Sequence, residues 1–280
     1  MSALDYRDLL ATADRAARAG GDIVRRYFGR LEAVRAKSPG DWVSEADLAS
    51  EKEIRELLTR DSGLPVYGEE AGGDDFDTGW LVDPLDGTSN FLHGFDAVGV
   101  SVGLIEAGVP VVGVVHAPLL DRTFYAARGV GAFRDERLLH VSERAPEQAI
   151  VATGFPFRRK ELLPAYERAL AAALRRFEDL RRAGAASLDL CWTAEGVFDG
   201  FFELRLGPWD VAAGGVIVRE AGGVVTDWSG DDRAWLRSGD VLAAPPAVHA
   251  ALLDVVAPSV DHTPGREPPD GPLRGNQEII

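Results

Sequence analysis

The sequence is poor in features that mark secreted and membrane-spanning proteins. Its 280 residues include a single cysteine, Cys191, which excludes an intramolecular disulfide and fits a reducing compartment. No apolar run approaches the ~20 residues that a membrane-spanning helix needs. The N-terminus also lacks the continuous apolar segment of a signal peptide. We therefore expect a cytoplasmic protein.

Positive charge is also scarce. There are 30 lysines and arginines against 45 aspartates and glutamates, which gives a formal net charge of -15. Such a chain repels nucleic acid and anionic membranes, so neither is an expected partner. The same charge repels a phosphate dianion, so a phosphate substrate would require bound cations.

The 46% hydrophobic content is sufficient for a large core, and strand-like runs alternate with helical ones, as in mixed α and β proteins. A helix is expected from Ser44, with Asp47 in a capping box. Apolar periodicity predicts further helices over 4–29, 160–177, 185–195, 209–221 and 246–256. It predicts strands over 64–67, 80–83, 98–105, 109–116, 122–127, 149–153, 179–182, 199–204, 223–227 and 240–244.

The domain organisation follows from composition. Ser, Pro and charged residues cluster near 142–148, and the segment from Pro258 onward is rich in Pro, Gly and charge. We expect one domain over 1–257, with an N-terminal metal-binding half of about 1–145 and a C-terminal substrate half of about 146–257. Residues 258–280 are expected to be a disordered tail.

The segment 80–91, Trp-Leu-Val-Asp-Pro-Leu-Asp-Gly-Thr-Ser-Asn-Phe, places two carboxylates directly after an apolar strand. Pro84 is expected to fix a turn, and Gly87 permits a tight backbone path. Asp-Pro-x-Asp-Gly is also an ordinary turn sequence. The preceding strand and the following Thr-Ser-Asn-Phe favour a site in which Asp83 and Asp86 bind Mg²⁺, a cation that takes oxygen ligands.

Two further acidic segments occur elsewhere in the chain. Glu69 and Glu70 follow an apolar stretch, and Asp210 follows Trp209 at the start of a predicted helix. Taken alone, the glutamates are typical of a solvated surface and the aspartate of a helix N-terminus. All of these segments lie at strand ends or helix starts, which favours one shared site.

These motifs together resemble those of the inositol monophosphatase family, a group of lithium-sensitive, magnesium-dependent phosphatases. The resemblance runs from about Lys37 to Gly223. It implies an α+β fold, the layered α-β-α-β-α sandwich of the inositol monophosphatase / fructose-1,6-bisphosphatase type, and a homodimer. The matching segments are 68–70, 83–91, 181–186, 199–203 and 209–214, and Thr153-Gly-Phe-Pro-Phe157 is similar to a segment of bacterial members.

The resemblance implies two or three Mg²⁺ ions per site. Glu69, Asp83 and the Leu85 carbonyl would hold the first ion, and Asp83, Asp86 and Asp210 the second. Glu70, with Glu69, would hold a third through waters.

The resemblance also implies roles in catalysis and substrate binding. Glu69 and Thr88 would orient and deprotonate the attacking water, and the Gly87 and Thr88 N–H groups would hold phosphate oxygens. The alcohol group would contact Asp86, Arg182, Ala186 and Glu203, and Lys37 could approach the site. Ser187, which follows Gly184-Ala185-Ala186, departs from the Gly-Ser-Ala-Ala with which many relatives begin this segment. The departure concerns the wall that faces the sugar and does not touch the metals.

The expected function is hydrolysis of a phosphomonoester, with inositol-1-phosphate as the first substrate. The same chemistry would serve histidinol phosphate, fructose 1,6-bisphosphate or 3'-phosphoadenosine 5'-phosphate. A regulatory, RNA-polymerase-binding role is the alternative of a different class, as bacterial members of the family permit.

Overall fold

The structure, a computed structural model, describes residues 5–30, 34–38, 41–70 and 76–259. Its helices are α1 Tyr6–Tyr27, α2 Glu45–Ser62, α3 Thr88–Leu92, α4 Leu163–Arg176, α5 Ala186–Ala194, α6 Pro208–Glu220, α7 Trp235–Ser238 and α8 Pro246–Val256. Its strands are β1 Val34–Ser38, β2 Asp41–Ser44, β3 Val66–Gly68, β4 Gly79–Asp86, β5 Gly99–Glu106, β6 Val109–Ala117, β7 Arg122–Ala127, β8 Gly131–Arg134, β9 Arg137–Leu138, β10 Ile150–Thr153, β11 Asp179–Arg181, β12 Gly200–Glu203, β13 Val224–Thr226 and β14 Val241–Ala244.

Two mixed sheets form the framework. The larger has seven strands in the order β3-β4-β5-β6-β7-β8-β9, with β3 and β4 parallel and the remaining neighbours antiparallel. The smaller has five strands in the order β11-β10-β12-β14-β13. In it β10 runs parallel to β11 and β12, whereas β14 runs antiparallel to β12 and β13.

Helices cover both sheets and fill the space between them. Helices α1 and α2 pack on one face of the larger sheet, and α4 and α8 pack against the smaller one. Helices α5 and α6 lie between the sheets, where apolar side chains of both sheets join theirs in one buried cluster. The order of layers is therefore α-β-α-β-α, which confirms the predicted fold class.

Helix α1 is continuous through its two central glycines, which allow close contacts. A Cβ atom on Gly20 would lie 2.6 Å from the Ile54 Cδ1 atom, and one on Gly21 would lie 2.3 Å from His116 Cδ2. Glycine therefore lets α1 approach α2 and β6 more closely than any other residue would. His116 is buried, and its Nδ1 atom lies 2.9 Å from the Thr123 hydroxyl, which is a structural role.

Local sequence signals explain where two other helices begin. Ser44 and Asp47 form the predicted capping box at the start of α2. Helix α4 begins at Leu163, later than the predicted residue 160, because Pro164 is tolerated only in the first turn of a helix. Residues 160–162 form a short 3-10 turn instead.

Several short elements were not predicted, namely β1, β2, β8, β9 and α7. Each spans five residues or fewer, too short for a periodic pattern to be recognised. Among the described residues, no helix is both long enough and apolar enough to cross a bilayer. Residues 260–280 lie outside the described part of the chain, so the disordered tail and the domain boundaries stay predictions.

Candidate active site

Asp83 and Asp86 lie on the same face of the larger sheet because strand β4 carries a bulge between them. Asp83 pairs with Ser101 and Asp86 with Gly99, so three steps along β4 match two along β5. Residues three apart on a regular strand face opposite sides, and the extra residue restores a common side. Pro84 sits within this bulge, not in the turn predicted for it, and a bulge tolerates a residue without an N–H.

Helix α2 holds the bulge from behind. The Ser50 hydroxyl donates a hydrogen bond to the Pro84 carbonyl at 3.0 Å. The Leu85 N–H donates to Asp83 Oδ1 at 2.9 Å, which orients that carboxylate. Every residue of β4 is buried, so the backbone around both aspartates is fixed by packing on each side.

Asp86 is linked to the central helical layer. Its Oδ2 atom accepts hydrogen bonds from the Ser187 N–H at 2.7 Å and from the Ser187 hydroxyl at 2.5 Å. Ser187, which the sequence associates with the wall that faces the sugar, thus contacts a predicted metal ligand directly. The sequence could not show this, since the two residues are 101 positions apart.

Asp210 joins the same acidic region from the first turn of α6. Its Oδ2 atom accepts a hydrogen bond from the Gly207 N–H at 2.7 Å, so it caps the helix. Its carboxyl group is also in hydrogen-bonding contact with that of Asp83. The Ser101 hydroxyl donates to the Trp209 carbonyl at 2.9 Å and ties the start of α6 to β5. The capping role and the predicted site role therefore belong to one residue.

Glu69 and Glu70 form a turn directly after β3. The Glu69 N–H donates to the Val82 carbonyl at 3.1 Å, which places this turn beside β4. The Glu70 N–H donates to Glu51 Oε2 at 2.9 Å. Glu51 is buried and also forms an ion pair with Arg55, which in turn donates to the Val66 carbonyl at 2.6 Å. Glu51 was not predicted as part of the site.

Electrostatic repulsion shows that these carboxylates share one region. Burial raises the pKa of Asp83 well above its usual range, and the nearby charges of Glu69, Asp86 and Asp210 raise it further. Burial, Asp86 and Glu69 likewise raise the pKa of Asp210. Burial raises the pKa of Asp86 to about 6, although the hydrogen bonds from Ser187 oppose the shift.

A divalent cation fits this donor set. Among the described residues, no arginine, lysine or histidine forms an ion pair with Asp83, Asp86 or Asp210. Buried carboxylates are normally paired with a cation or bound to a metal, and hard oxygen donors suit Mg²⁺. Across the described ranges, however, no three acidic, histidine or cysteine side chains are arranged to hold an ion. The fold thus gathers the carboxylates without converging them on one point.

Thr88 opens the short helix α3 beside this cluster. Its hydroxyl lies 3.1 Å from the Leu85 carbonyl and 3.2 Å from Asp47 Oδ1, and its proton serves one of them at a time. Asp47 was predicted only as a helix cap, and its second role carries no sequence signal. Gly87 precedes Thr88 with a φ of 88°, where a Cβ atom would lie 2.9 Å from the Ala97 carbonyl oxygen. Glycine is required at that position.

The predicted alcohol-binding residues lie on the C-terminal side of the site. Glu203 ends β12 against Gly154, where a Cβ atom would lie 1.9 Å from Glu203 Oε1. Burial raises the pKa of Glu203 to about 8; Arg182 lowers it and Asp86 raises it, so all three side chains share one electrostatic environment. Ala186 is buried at the start of α5.

Three further residues named from the sequence are Arg182, Asp199 and Lys37. Arg182 is exposed, and its guanidinium carbon lies 5.6 Å from the centre of the Phe157 ring. Asp199, part of the matched segment 199–203, is buried and accepts from the Ile150 N–H at 2.7 Å, a structural role. Lys37 lies on β1, but its side chain is outside the described residues.

Asn90 links the acidic segment to the segment that precedes α5. Its side-chain amide donates to the Ala97 carbonyl at 2.8 Å and to the Ala183 carbonyl at 2.9 Å. The Thr-Ser-Asn-Phe part of the motif thus joins the two sides of the site as well as starting α3.

Known proteins are similar to this chain over most of its length. Residues 5–261 match the model of the Inositol monophosphatase family. The chain is 42% identical to a protein of Neisseria meningitidis named "Putative Nus factor SuhB", over 90% of this chain and 98% of that one. It is 37% identical to the "Fructose-1,6-bisphosphatase/inositol-1-monophosphatase" of Aquifex aeolicus, over 90% and 96% of the two chains.

Solved structures show the same fold. The crystal structure of the extragenic suppressor protein suhB of Bartonella henselae superposes with a TM-score of 0.83 at 37% identity, covering 89% of this chain and 98% of that one. The IMPase of Thermotoga maritima superposes with a TM-score of 0.81 at 32% identity, covering 90% and 98%. The chain therefore belongs to the inositol monophosphatase family.

Proposed function

We propose that this protein is a Mg²⁺-dependent phosphomonoester hydrolase whose first substrate is inositol-1-phosphate. The observation that carries the proposal is the cluster of Asp83, Asp86 and Asp210 with Glu69. Burial and the repulsion among these carboxylates raise the pKa values of the three aspartates, and the aspartates have no ion-pair partner among the described residues. Divalent cations would relieve that repulsion and reverse the local charge for a phosphate substrate.

The donor set divides between ions as the family resemblance implies. Glu69, Asp83 and the Leu85 carbonyl would hold one ion, and Asp83, Asp86 and Asp210 a second. Glu70 would assist a third through waters. A carbonyl oxygen has two lone pairs, so Leu85 can accept from Thr88 and still bind a cation. Bound Mg²⁺ would supply positive charge to the phosphate and acidify a water for attack.

The surrounding residues would position that water and its proton. The Thr88 hydroxyl can donate to Asp47 while its oxygen accepts from the water, so Asp47 can receive a proton through Thr88. Glu69, in the turn after β3, would orient the same water. The Gly87 and Thr88 N–H groups at the start of α3 would hold phosphate oxygens.

The alcohol group would bind on the side formed by α5 and β12. Glu203 accepts hydrogen bonds from hydroxyl groups, which suits a polyol. Arg182 and Ala186 would complete this side with Asp86. The names of the Aquifex and Thermotoga relatives support inositol phosphate, and the name of the former also supports fructose 1,6-bisphosphate as an alternative. Histidinol phosphate and 3'-phosphoadenosine 5'-phosphate remain alternatives from the sequence.

A substrate panel with controlled metal tests the proposal. Purified protein should release phosphate from inositol-1-phosphate with Mg²⁺, lose activity after exhaustive chelation, and regain it when Mg²⁺ returns. If another compound of the panel is hydrolysed with a higher kcat/KM, that compound is the preferred substrate and the proposed reaction is unchanged. Full activity in the chelated protein would overturn the metal mechanism.

A regulatory role is the second candidate, and the names of the relatives favour it, since several are called Nus factor SuhB. Binding to RNA polymerase would then be independent of the phosphatase site. Sedimentation of the protein with purified core RNA polymerase tests this role. Co-sedimentation of wild type and of an Asp83→Asn variant would support it, and separate sedimentation of both would exclude direct binding.

The homodimer, the cytoplasmic location and lithium sensitivity belong to the same proposal. The dimer and lithium sensitivity rest on the family resemblance, and the location rests on the sequence features described above. Light scattering measures the first directly, with a mass near twice the 30.1 kDa of one chain expected. Inhibition of phosphate release by Li⁺ tests the last.

A further inference from the structure

Ser187 has a distinct place in the structure. It is completely buried on α5, in the central layer, yet both of its donors contact Asp86 at the end of β4 in the larger sheet. Asp86 is thus anchored across the boundary between a sheet and the central helices.

These contacts fix the direction of the Asp86 carboxylate. Both Ser187 donors reach the Oδ2 atom, at 2.7 Å and 2.5 Å, which leaves the Oδ1 atom for another ligand. A carboxylate held by one oxygen cannot rotate freely about its last torsion, and a fixed ligand loses less entropy when it binds a cation.

The packing around the Ser187 hydroxyl leaves it little room for another orientation. A Cβ atom on Gly99 would lie 2.7 Å from the Ser187 Oγ atom, so the strand that pairs with Asp86 has a glycine where the hydroxyl sits. Gly99, Ser187 and Asp86 therefore pack directly against one another.

We propose that Ser187 is a positioning residue that holds Asp86 in the orientation required for Mg²⁺ binding. The inference rests on the proposed function, because it assigns Asp86 to a metal ion.

The test compares three variants with wild type. Ser187→Ala removes the hydroxyl and keeps the N–H, whereas Ser187→Cys keeps a similar volume with a weaker donor. The matched control is Thr193→Val, which removes another fully buried hydroxyl of α5, one that donates to the Asp189 carbonyl at 2.8 Å. Mg²⁺ binding to the chelated proteins is measured by calorimetry, and unfolding without metal by urea titration.

The expected result separates positioning from structural support. Ser187→Ala should weaken Mg²⁺ binding at least about tenfold, as for loss of one hydrogen bond to a charged group, and Ser187→Cys should fall between it and wild type. Thr193→Val should bind Mg²⁺ within about twofold of wild type even where it unfolds as readily as Ser187→Ala.

Two results would overturn the proposal. Wild-type affinity in both Ser187 variants would show that the hydroxyl does not position the ligand, while the proposed function would stand. Failure of wild type itself to bind Mg²⁺ would overturn this inference and the proposed function together. Should Ser187→Ala not fold, Ser187→Cys decides by the same criterion.

Discussion

The Thr88 hydroxyl lies 3.2 Å from the Asp47 carboxylate, and both groups are buried next to the acidic cluster. Asp47 comes from the start of α2 and Thr88 from the start of α3. The pair can therefore take a proton away from the site without moving the backbone.

This relationship predicts the effect of changing Thr88. Thr88→Val keeps the shape of the side chain and removes the hydroxyl, so kcat should fall about 10²-fold or more for every substrate alike. Thr88→Ser is the control and should stay within about tenfold of wild type. Unequal losses across inositol-1-phosphate, a sugar phosphate and p-nitrophenyl phosphate would contradict a role in activating water.

Glu51 should be required for the geometry of the turn that carries Glu69 and Glu70. Glu51→Gln retains an oxygen for the Glu70 N–H and loses the ion pair with Arg55. We expect a loss of ~1–3 kcal/mol in the free energy of unfolding and a higher Mg²⁺ concentration for half-maximal activity. Glu53→Gln, an exposed change on the same helix, should alter neither quantity. An unchanged Mg²⁺ requirement in Glu51→Gln would show that Glu51 does not affect metal binding at the site.

Glu203 should make stability depend on pH. Its pKa is raised from 4.5 to about 8 in the folded protein, so the folded state binds this proton more tightly than the unfolded chain. The free energy of unfolding therefore declines as pH rises from about 4.5 through about 8. Glu203→Gln lacks that contribution and should gain stability relative to wild type across the same range. Urea unfolding in chelator at several pH values measures this difference. If the free energies of unfolding of wild type and Glu203→Gln change in parallel with pH, the raised pKa of Glu203 is refuted.

Glu203 should also affect the choice of substrate more than the chemistry. If it binds hydroxyl groups, Glu203→Gln should reduce kcat/KM for inositol-1-phosphate by about one to two powers of ten and spare p-nitrophenyl phosphate. An equal loss on both substrates would place Glu203 in the catalytic or structural machinery.

Much of the fold followed from the sequence because its long elements carry clear periodicity. Helices α5, α6 and α8 and strands β5, β6 and β7 lie within one residue of their predicted ends. The α-β-α-β-α order came from the family resemblance, since periodicity does not specify which faces pack together. The hairpin of β1 and β2 has only short strands and was not predicted.

The sequence predicts those residues of the candidate site whose chemical role is evident from their immediate neighbours in the chain. Asp83 and Asp86 stand out because carboxylates directly follow a buried strand. Ser187, Asp47 and Glu51 were not assigned to it, because each acts through a contact with a residue distant in sequence, at 101, 41 and 19 positions respectively. The bulge at Pro84 was also missed, because a proline followed by Asp-Gly has the composition of a turn.

In the proposed mechanism Asp83 is held for metal ions at a cost in stability. Because burial raises the pKa of Asp83, the chelated protein loses stability at any pH above the ordinary pKa of an aspartate. Asp83→Asn removes this cost and should unfold at a higher urea concentration than wild type. Added Mg²⁺ should then stabilise wild type strongly and the variant little, because its binding to the variant is lost. The most direct measurement is the urea midpoint of both proteins with and without Mg²⁺. Mg²⁺ should reverse the order of the two midpoints. A variant that is less stable than wild type without Mg²⁺, yet equally stabilised by it, would show that Asp83 is not held for metal ions.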